Sequence, residues 1–264
     1  MARLPEKVLL KEVFDGITEP LPYGVVPFGL AESNRSDSAL VPAVIDFEEN
    51  PHALAVGLSG AGLTTWLRAM AHGIMRTYRP DQATIILIDP RKSSVGVVPE
   101  ANWLSGYARF PEEISKLVND LVGVLKGRLS PAAASQHDLA TKRFWEGREF
   151  FVLIDGITSW GNAANPLMAL APYVEQGEEI GLHIVATAYQ REFSFQSQGA
   201  GVLGKTMGMQ PPILIMNGHR SHGAVVPGVF AEPQREGKGK LLTRRGIAGA
   251  LVGWTDPPEL ARRR

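Results

Sequence analysis

The chain has 264 residues, 44% of them apolar, which suffices for one large α/β domain or two small ones with a substantial core. Its 27 basic residues balance 27 acidic ones at a pI near 7.0, so it lacks the global basic character of a protein that tracks duplex nucleic acid. It has no cysteine, which excludes a disulfide framework and a cysteine-ligated zinc site. No run of eighteen apolar residues occurs, and Met1-Ala2-Arg3-Leu4-Pro5 opens no signal-peptide apolar stretch, so the chain reads as soluble and cytosolic. It enters folded-looking sequence within about ten residues, as a piece excised from a longer protein would.

Residues 1–50 carry two short β-like runs, 23–30 and 40–47, punctuated by Pro20, Pro22, Pro27 and Gly29 and separated by the polar stretch 32–38. They read as a small antiparallel β layer packed on a core formed by residues 51–264.

That core is organised around residues 53–78. Ala53-Leu54-Ala55-Val56 is a short apolar run. Then comes a glycine loop, Gly57-Leu58-Ser59-Gly60-Ala61-Gly62-Leu63-Thr64-Thr65, and then apolar or small residues at Leu63, Trp66, Leu67, Met70, Ala71, Ile74, Met75 and Tyr78. The spacing i, i+3, i+4 predicts a helix with one buried face, so the order is strand, glycine loop, helix. Glycines permit close backbone approach, and successive N–H groups at a helix N-terminus can converge on a phosphate. The expression G-x-x-x-x-G-K-[ST], laid from Gly57 to Thr64, fails only at the lysine, where the chain has Leu63. Gly57, Ser59, Gly60, Ala61, Gly62, Leu63, Thr64 and Thr65 are therefore the candidate nucleotide-binding residues, with the Thr64 hydroxyl offered to Mg²⁺. The cation that reaches the β- and γ-phosphates is missing, and a glycine-rich turn that binds nothing stands as the competing reading.

Thr84-Ile85-Ile86-Leu87-Ile88 reads as a parallel strand buried on both faces, ending on Asp89-Pro90-Arg91-Lys92. Ligands lie at the carboxyl ends of strands in open α/β sheets, so Asp89, Arg91 and Lys92 stand either at a site or in a solvated turn. Pro111-Glu112-Glu113 opens a helix whose stripe is Ile114, Leu117, Val118, Leu121, Val122 and Leu125. Residues 128–148 form a polar, alanine-rich connection. Phe150-Phe151-Val152-Leu153-Ile154-Asp155 has the form of the strand that positions the Mg²⁺ shell in P-loop proteins, which makes Asp155 the candidate catalytic carboxylate and second metal ligand. The acid that usually follows is Gly156, so a lysine and an acid are lost together, and efficient hydrolysis with them.

Residues 166–174 read as a helix, and 181–188 as another buried strand with Thr187 at its tip as a candidate γ-phosphate contact. His183 inside that strand reads as a packed core histidine. Residues 213–216, 240–243 and 248–254 supply further strands. The triplet 262–264, all arginine, is too short to imply nucleic acid binding. Residues 199–206, Gly-Ala-Gly-Val-Leu-Gly-Lys-Thr, satisfy the P-loop expression in full, Lys205 included. No buried strand precedes them, and Pro211-Pro212 ends any helix within five residues, so this stretch reads as a chance match.

Pro51-His52 through Gly62, Ile88-Asp89-Pro90-Arg91-Lys92 with Val95-Gly96-Val97-Val98-Pro99, Asn165-Pro166-Leu167, Gly181-Leu182-His183-Ile184-Val185 and Gly237-Lys238-Gly239-Lys240-Leu241 together resemble the FtsK/SpoIIIE-type ATPase modules of type VII secretion, and most narrowly the last module of their membrane-anchored motor. The resemblance runs from about Leu4 to Trp254. It implies a RecA-like P-loop NTPase fold, α/β with a mostly parallel sheet flanked by helices. It implies ATP and Mg²⁺ as cofactors, weakened by Leu63, Gly156 and Ala188, where related modules often carry arginine. The implied partners are the other ATPase modules of the same motor, in an oligomer, and the C-terminal signal of small WXG-type secreted substrates, with no nucleic acid. The implied location is the cytoplasmic side of the membrane, through an anchor outside this chain. Three functions follow: a weak or inactive ATPase-fold module that recognises substrate; an ATPase completed in trans by a neighbour's cation, with Arg91 or Arg191 as donors; or a DNA translocase of the same superfamily.

Overall fold

The computed structural model describes residues 3–33, 39–141, 144–160 and 165–256; residues 34–38 of the polar N-terminal stretch and 262–264 lie outside these. In chain order the strands are β1 Val25–Glu32, β2 Leu40–Asp46, β3 Ala53–Gly57, β4 Ala83–Ile88, β5 Leu104–Ala108, β6 Glu149–Ile154, β7 Leu182–Tyr189, β8 Ile213–Ile215, β9 Ala224–Val226, β10 Val229–Phe230, β11 Lys238–Thr243 and β12 Gly246–Val252. The helices are α1 Leu10–Asp15, α2 Leu63–Thr77, α3 Pro111–Lys126, α4 Gln136–Thr141, α5 Gly177–Ile180, α6 Gln190–Gln196 and α7 Val202–Gly208.

Among the described residues ten strands form one sheet in the order β2-β1-β12-β11-β8-β3-β7-β6-β4-β5. From β8 to β5 neighbouring strands run parallel, and from β2 to β8 they run antiparallel. The two N-terminal strands are thus the outer edge of the same sheet, joined to it through β12. The central parallel strands β3 and β4 read as apolar runs because both faces are covered: every residue of each is buried. The pleat sends Ala53 and Ala55 to the core under α2, and Leu54 and Val56 to the core on the opposite face.

Helix α2 follows the predicted stripe, burying Leu63, Trp66, Leu67, Met70 and Ile74. It lies so close to β1 that a Cβ at Gly73 would run into the Pro27 carbonyl oxygen. Helix α3 starts at Pro111, where the missing N–H costs nothing, and Glu113 reaches back to accept the N–H groups of Arg109 and Phe110 at 3.0 and 3.3 Å. It buries Ile114, Val118, Leu121, Val122 and Leu125, which contributes on the order of 10 kcal/mol of apolar transfer before chain entropy is subtracted.

One local expectation changes, and several short elements go beyond the sequence pattern. Residues Met168–Gln176 wind as a 3-10 run with Pro172 inside it rather than as an α-helix, since proline removes the donor an α turn needs. The edge strand β5 and the short helices α1, α6 and α7 carry no long apolar period and were not foreseen.

Candidate phosphate site at the strand ends

The carboxyl ends of β3, β4, β6 and β7 lie side by side, and the predicted residues meet there. The loop after β3 is braced on both sides: Leu58 N–H donates to the Asn217 carbonyl at 2.8 Å, and Gly237 N–H donates to the Ala61 carbonyl at 2.9 Å. Gly60 and Gly62 have φ of +80° and +99°, backbone that L side chains rarely adopt. The first helical bond is Trp66 N–H to the Gly62 carbonyl at 2.9 Å, so the N–H groups of Leu63, Thr64 and Thr65 point out of the helix end. Leu58, Ser59, Gly60, Gly62, Leu63, Thr64, Thr65, Arg91, Tyr189 and Glu236 line a cavity of about 170 Å³ there. Leu63 is 5% exposed and belongs to the core under α2. It is apolar cover where a P-loop protein presents an ammonium.

Asp155, at the end of β6, has no exposed side-chain surface. Its carboxylate accepts from the Thr64 hydroxyl at 3.1 Å, the Thr187 hydroxyl at 3.0 Å and the Ser93 hydroxyl at 3.0 Å. Arg91 Nη2 donates to both of its oxygens at 2.8 Å and to Thr64 Oγ1 at 3.0 Å. Burial alone works against the guanidinium charge, but the facing Asp155 more than restores it, so Arg91 holds its proton more tightly than an ordinary arginine. The Arg91 guanidinium also lies 5.6 Å from the Tyr189 ring centroid, within cation–π range.

Magnesium in such a site takes the Thr64 hydroxyl and the Asp155 carboxylate. The donor set does not suit it here: Asp155 is saturated by hydroxyls and a guanidinium, and the atom bridging Thr64 and Asp155 is a cationic nitrogen. A divalent ion has no place without moving Arg91. The loop's outward N–H groups and its cavity do suit a phosphate.

Thr187 is 1% exposed. It donates to Asp155 and accepts the Gly156 N–H at 2.8 Å, so it acts as a strut beneath the site instead of lining the cavity. Gly156 has φ +83°, and a Cβ there would sit 2.7 Å from Ser159 Oγ. The main chain at this position is therefore shaped for glycine and would have to change to carry an acid. Asp89 is buried and caps its own turn, accepting the N–H groups of Ser93 and Ser94 at 3.0 and 2.8 Å. Ala188 is buried in β7. Arg191 is exposed in α6, whereas Arg91 is anchored on Asp155 of its own chain. His183 is a core histidine, stacked on Phe151 with ring centroids 4.3 Å apart.

The second glycine stretch behaves differently. Helix α6 precedes it where a strand would be needed, although the seven-residue α7 does follow. Lys205 turns to Glu175 at 3.2 Å on the surface.

What sequence reasoning missed is that Arg91 pairs with Asp155 of its own chain. The available signal was a cation at the end of the strand next to β6, one strand from Asp155.

The fold and the loop define a RecA-like P-loop protein. The sequence profile of the FtsK/SpoIIIE family matches residues 29–190. The chain belongs to that family. It is 28% identical over 255 residues to the ESX secretion system protein EccC of Thermomonospora curvata, covering 89% of this chain and 19% of that protein. The cytoplasmic domain of the T. curvata type VII secretion ATPase EccC superposes with a TM-score of 0.84 at 26% identity, over 97% of this chain and 29% of that one. T. curvata EccC ATPases 2 and 3, in complex with a signal sequence peptide, superpose with a TM-score of 0.86 at 26% identity, over 97% and 44%. The chain thus spans about a fifth of the length of its curated relative. No helix among the described residues is long and apolar enough to cross a membrane.

Proposed function

We propose that this chain is an ATPase-fold module of a type VII secretion motor, the last in its series, that recognises substrate and has lost efficient hydrolysis. The observation that carries this reading is the pair of departures at one site. Leu63 puts apolar cover where the phosphate-reaching cation belongs, and Gly156 puts a positive-φ glycine where the water-polarising acid belongs. Each such group ordinarily contributes orders of magnitude in rate. The braced loop remains, so ATP binding is retained more readily than turnover. The likeness to secretion ATPase domains, one of them in a structure with a signal peptide, supports docking of the C-terminal signal of WXG-type substrates next to the other modules of the motor. The module then works on the cytoplasmic face, through an anchor outside this chain.

Calorimetric titration with a substrate C-terminal signal peptide, alone and with ATP, tests the reading alongside a phosphate-release assay. Peptide binding with no phosphate release above background is expected. Turnover on the order of 1 s⁻¹ or faster, or absence of peptide binding, would overturn it.

A further inference from the structure

The geometry points to Arg91 as the resident cation of this phosphate loop. It supplies in cis the charge that Leu63 does not, and it stands at the divalent-ion position between Thr64 and Asp155, so the site takes a phosphate anion without a metal.

Arg91 is presented by a built turn. Asp89 caps that turn through Ser93 and Ser94, and Arg68 on α2 clamps it by donating from Nε and Nη2 to the Ser93 carbonyl at 3.0 and 2.6 Å. Ser93 then closes the circuit onto Asp155 at 3.0 Å. Each of these bonds fixes the backbone from which Arg91 projects, and the bonds to Asp155 and Thr64 hold its head group.

All its bonds to Asp155 and Thr64 leave from one nitrogen, Nη2. The guanidinium has five N–H donors in a planar fork, so Asp155 and Thr64 do not use up its donors; Tyr189, which lines the same cavity, takes a further bond from it. The side chain is 46% exposed and can meet a ligand without leaving Asp155. The same cavity is lined by Leu63, Thr64 and Thr65 of the α2 first turn, whose N–H groups are free of helix bonds. Glu236 is the acid at the rim; its repulsion limits the charge the site accepts, and the cavity of about 170 Å³ is smaller than a typical nucleotide pocket. The ligand chemistry that fits is a short phosphate chain, free or as the tail of a nucleotide.

The test uses the whole chain, with inorganic pyrophosphate as the anion and MgCl₂ as the metal. In EDTA the wild-type chain is expected to bind pyrophosphate, Arg91→Ala to bind it at least about tenfold more weakly, and Mg²⁺ to give the wild type no gain. With MgCl₂ alone the melting temperature of the wild type should stay fixed. That of Arg91→Ala should rise by about 3 to 6 °C at a Mg²⁺ concentration ten times its dissociation constant, because the vacated carboxylate becomes a ligand. Arg91→Gln replaces the alanine variant if the latter does not fold, and the same two shifts are expected. Failure of the wild type to bind pyrophosphate, a Mg²⁺-strengthened wild type, or an Arg91 variant indifferent to Mg²⁺ overturns the inference. None of these readouts uses the signal peptide, so the secretion role and this inference fail separately.

Discussion

Two stretches of this chain approach a phosphate-loop expression, and the imperfect one has the strand and helix that such a loop needs. Residues 57–64 lack the lysine but leave the buried strand β3 and enter the fifteen-residue helix α2. Residues 199–206 have the lysine but run from helix α6 into the seven-residue α7, and Lys205 pairs with Glu175 in solvent. What makes a phosphate loop is a strand that fixes where the loop begins and a helix long enough to aim its free N–H groups. The lysine is one charge, and a charge can come from another strand. Here it comes from Arg91.

The comparison is broken most severely at Gly156. Gly156→Glu would place a Cβ 2.7 Å from Ser159 Oγ at φ +83° and set a second carboxylate beside buried Asp155. A loss of about 3 kcal/mol in denaturant unfolding is expected, with no hydrolysis gained even when Leu63→Lys is added.

Acid comes next, because β3 is rooted on a neutral histidine. The His52 ring is fully buried; Nε2–H donates to the Val174 carbonyl at 2.8 Å while Nδ1 accepts the Ile184 N–H at 3.0 Å. Burial, with the charge of His183 adding to it, pushes its pKa down to about 3. The unfolded chain takes up that proton below about pH 6.5 and the folded chain refuses it, so stability is full above that pH and falls as pH drops toward 3. Between pH 7 and 5 the loss should reach about 2 kcal/mol. Burial lowers His72 as well, which adds to the same window. Chemical denaturation at each pH, set against His52→Gln, isolates the His52 share as the difference in slope.

The two loop glycines sharpen the contrast further. Gly62→Ala meets the Gly237 nitrogen at 3.0 Å at φ +99°, while Gly60→Ala meets nothing within 4 Å at φ +80°. We expect about 2 kcal/mol lost at Gly62 and about 1 at Gly60 by thermal unfolding. Lys205→Ala closes the series: its ion pair is exposed on both sides, so the change should stay within about 0.5 kcal/mol and leave pyrophosphate binding untouched. A large effect at Lys205 with none at Gly62 would exchange the roles of the two loops.

Most of the fold was legible in the sequence for one reason. Parallel strands covered on both faces must be largely apolar runs, and β3, β4, β6 and β7 are such runs; β4 and β6 each end where an aspartate, Asp89 or Asp155, meets the ligand edge. Edge strand β5 was not legible, because half-covered Leu104-Ser105-Gly106-Tyr107-Ala108 has no such signature. Nor was the 3-10 run over Met168–Gln176, where the apolar spacing is helical but Pro172 forbids the α bond.

The sequence by itself determined the class of fold, the position of the loop and the two missing groups, Leu63 and Gly156, because these rest on local period and on single residues. Only the tertiary structure decided what replaces them. Arg91 and Asp155 are 64 positions apart in the chain and meet because β4 and β6 are hydrogen-bonded neighbours in the sheet. No local pattern carries that pairing. A charge's partner is set by strand order, and strand order is settled only when the whole sheet closes its two cores.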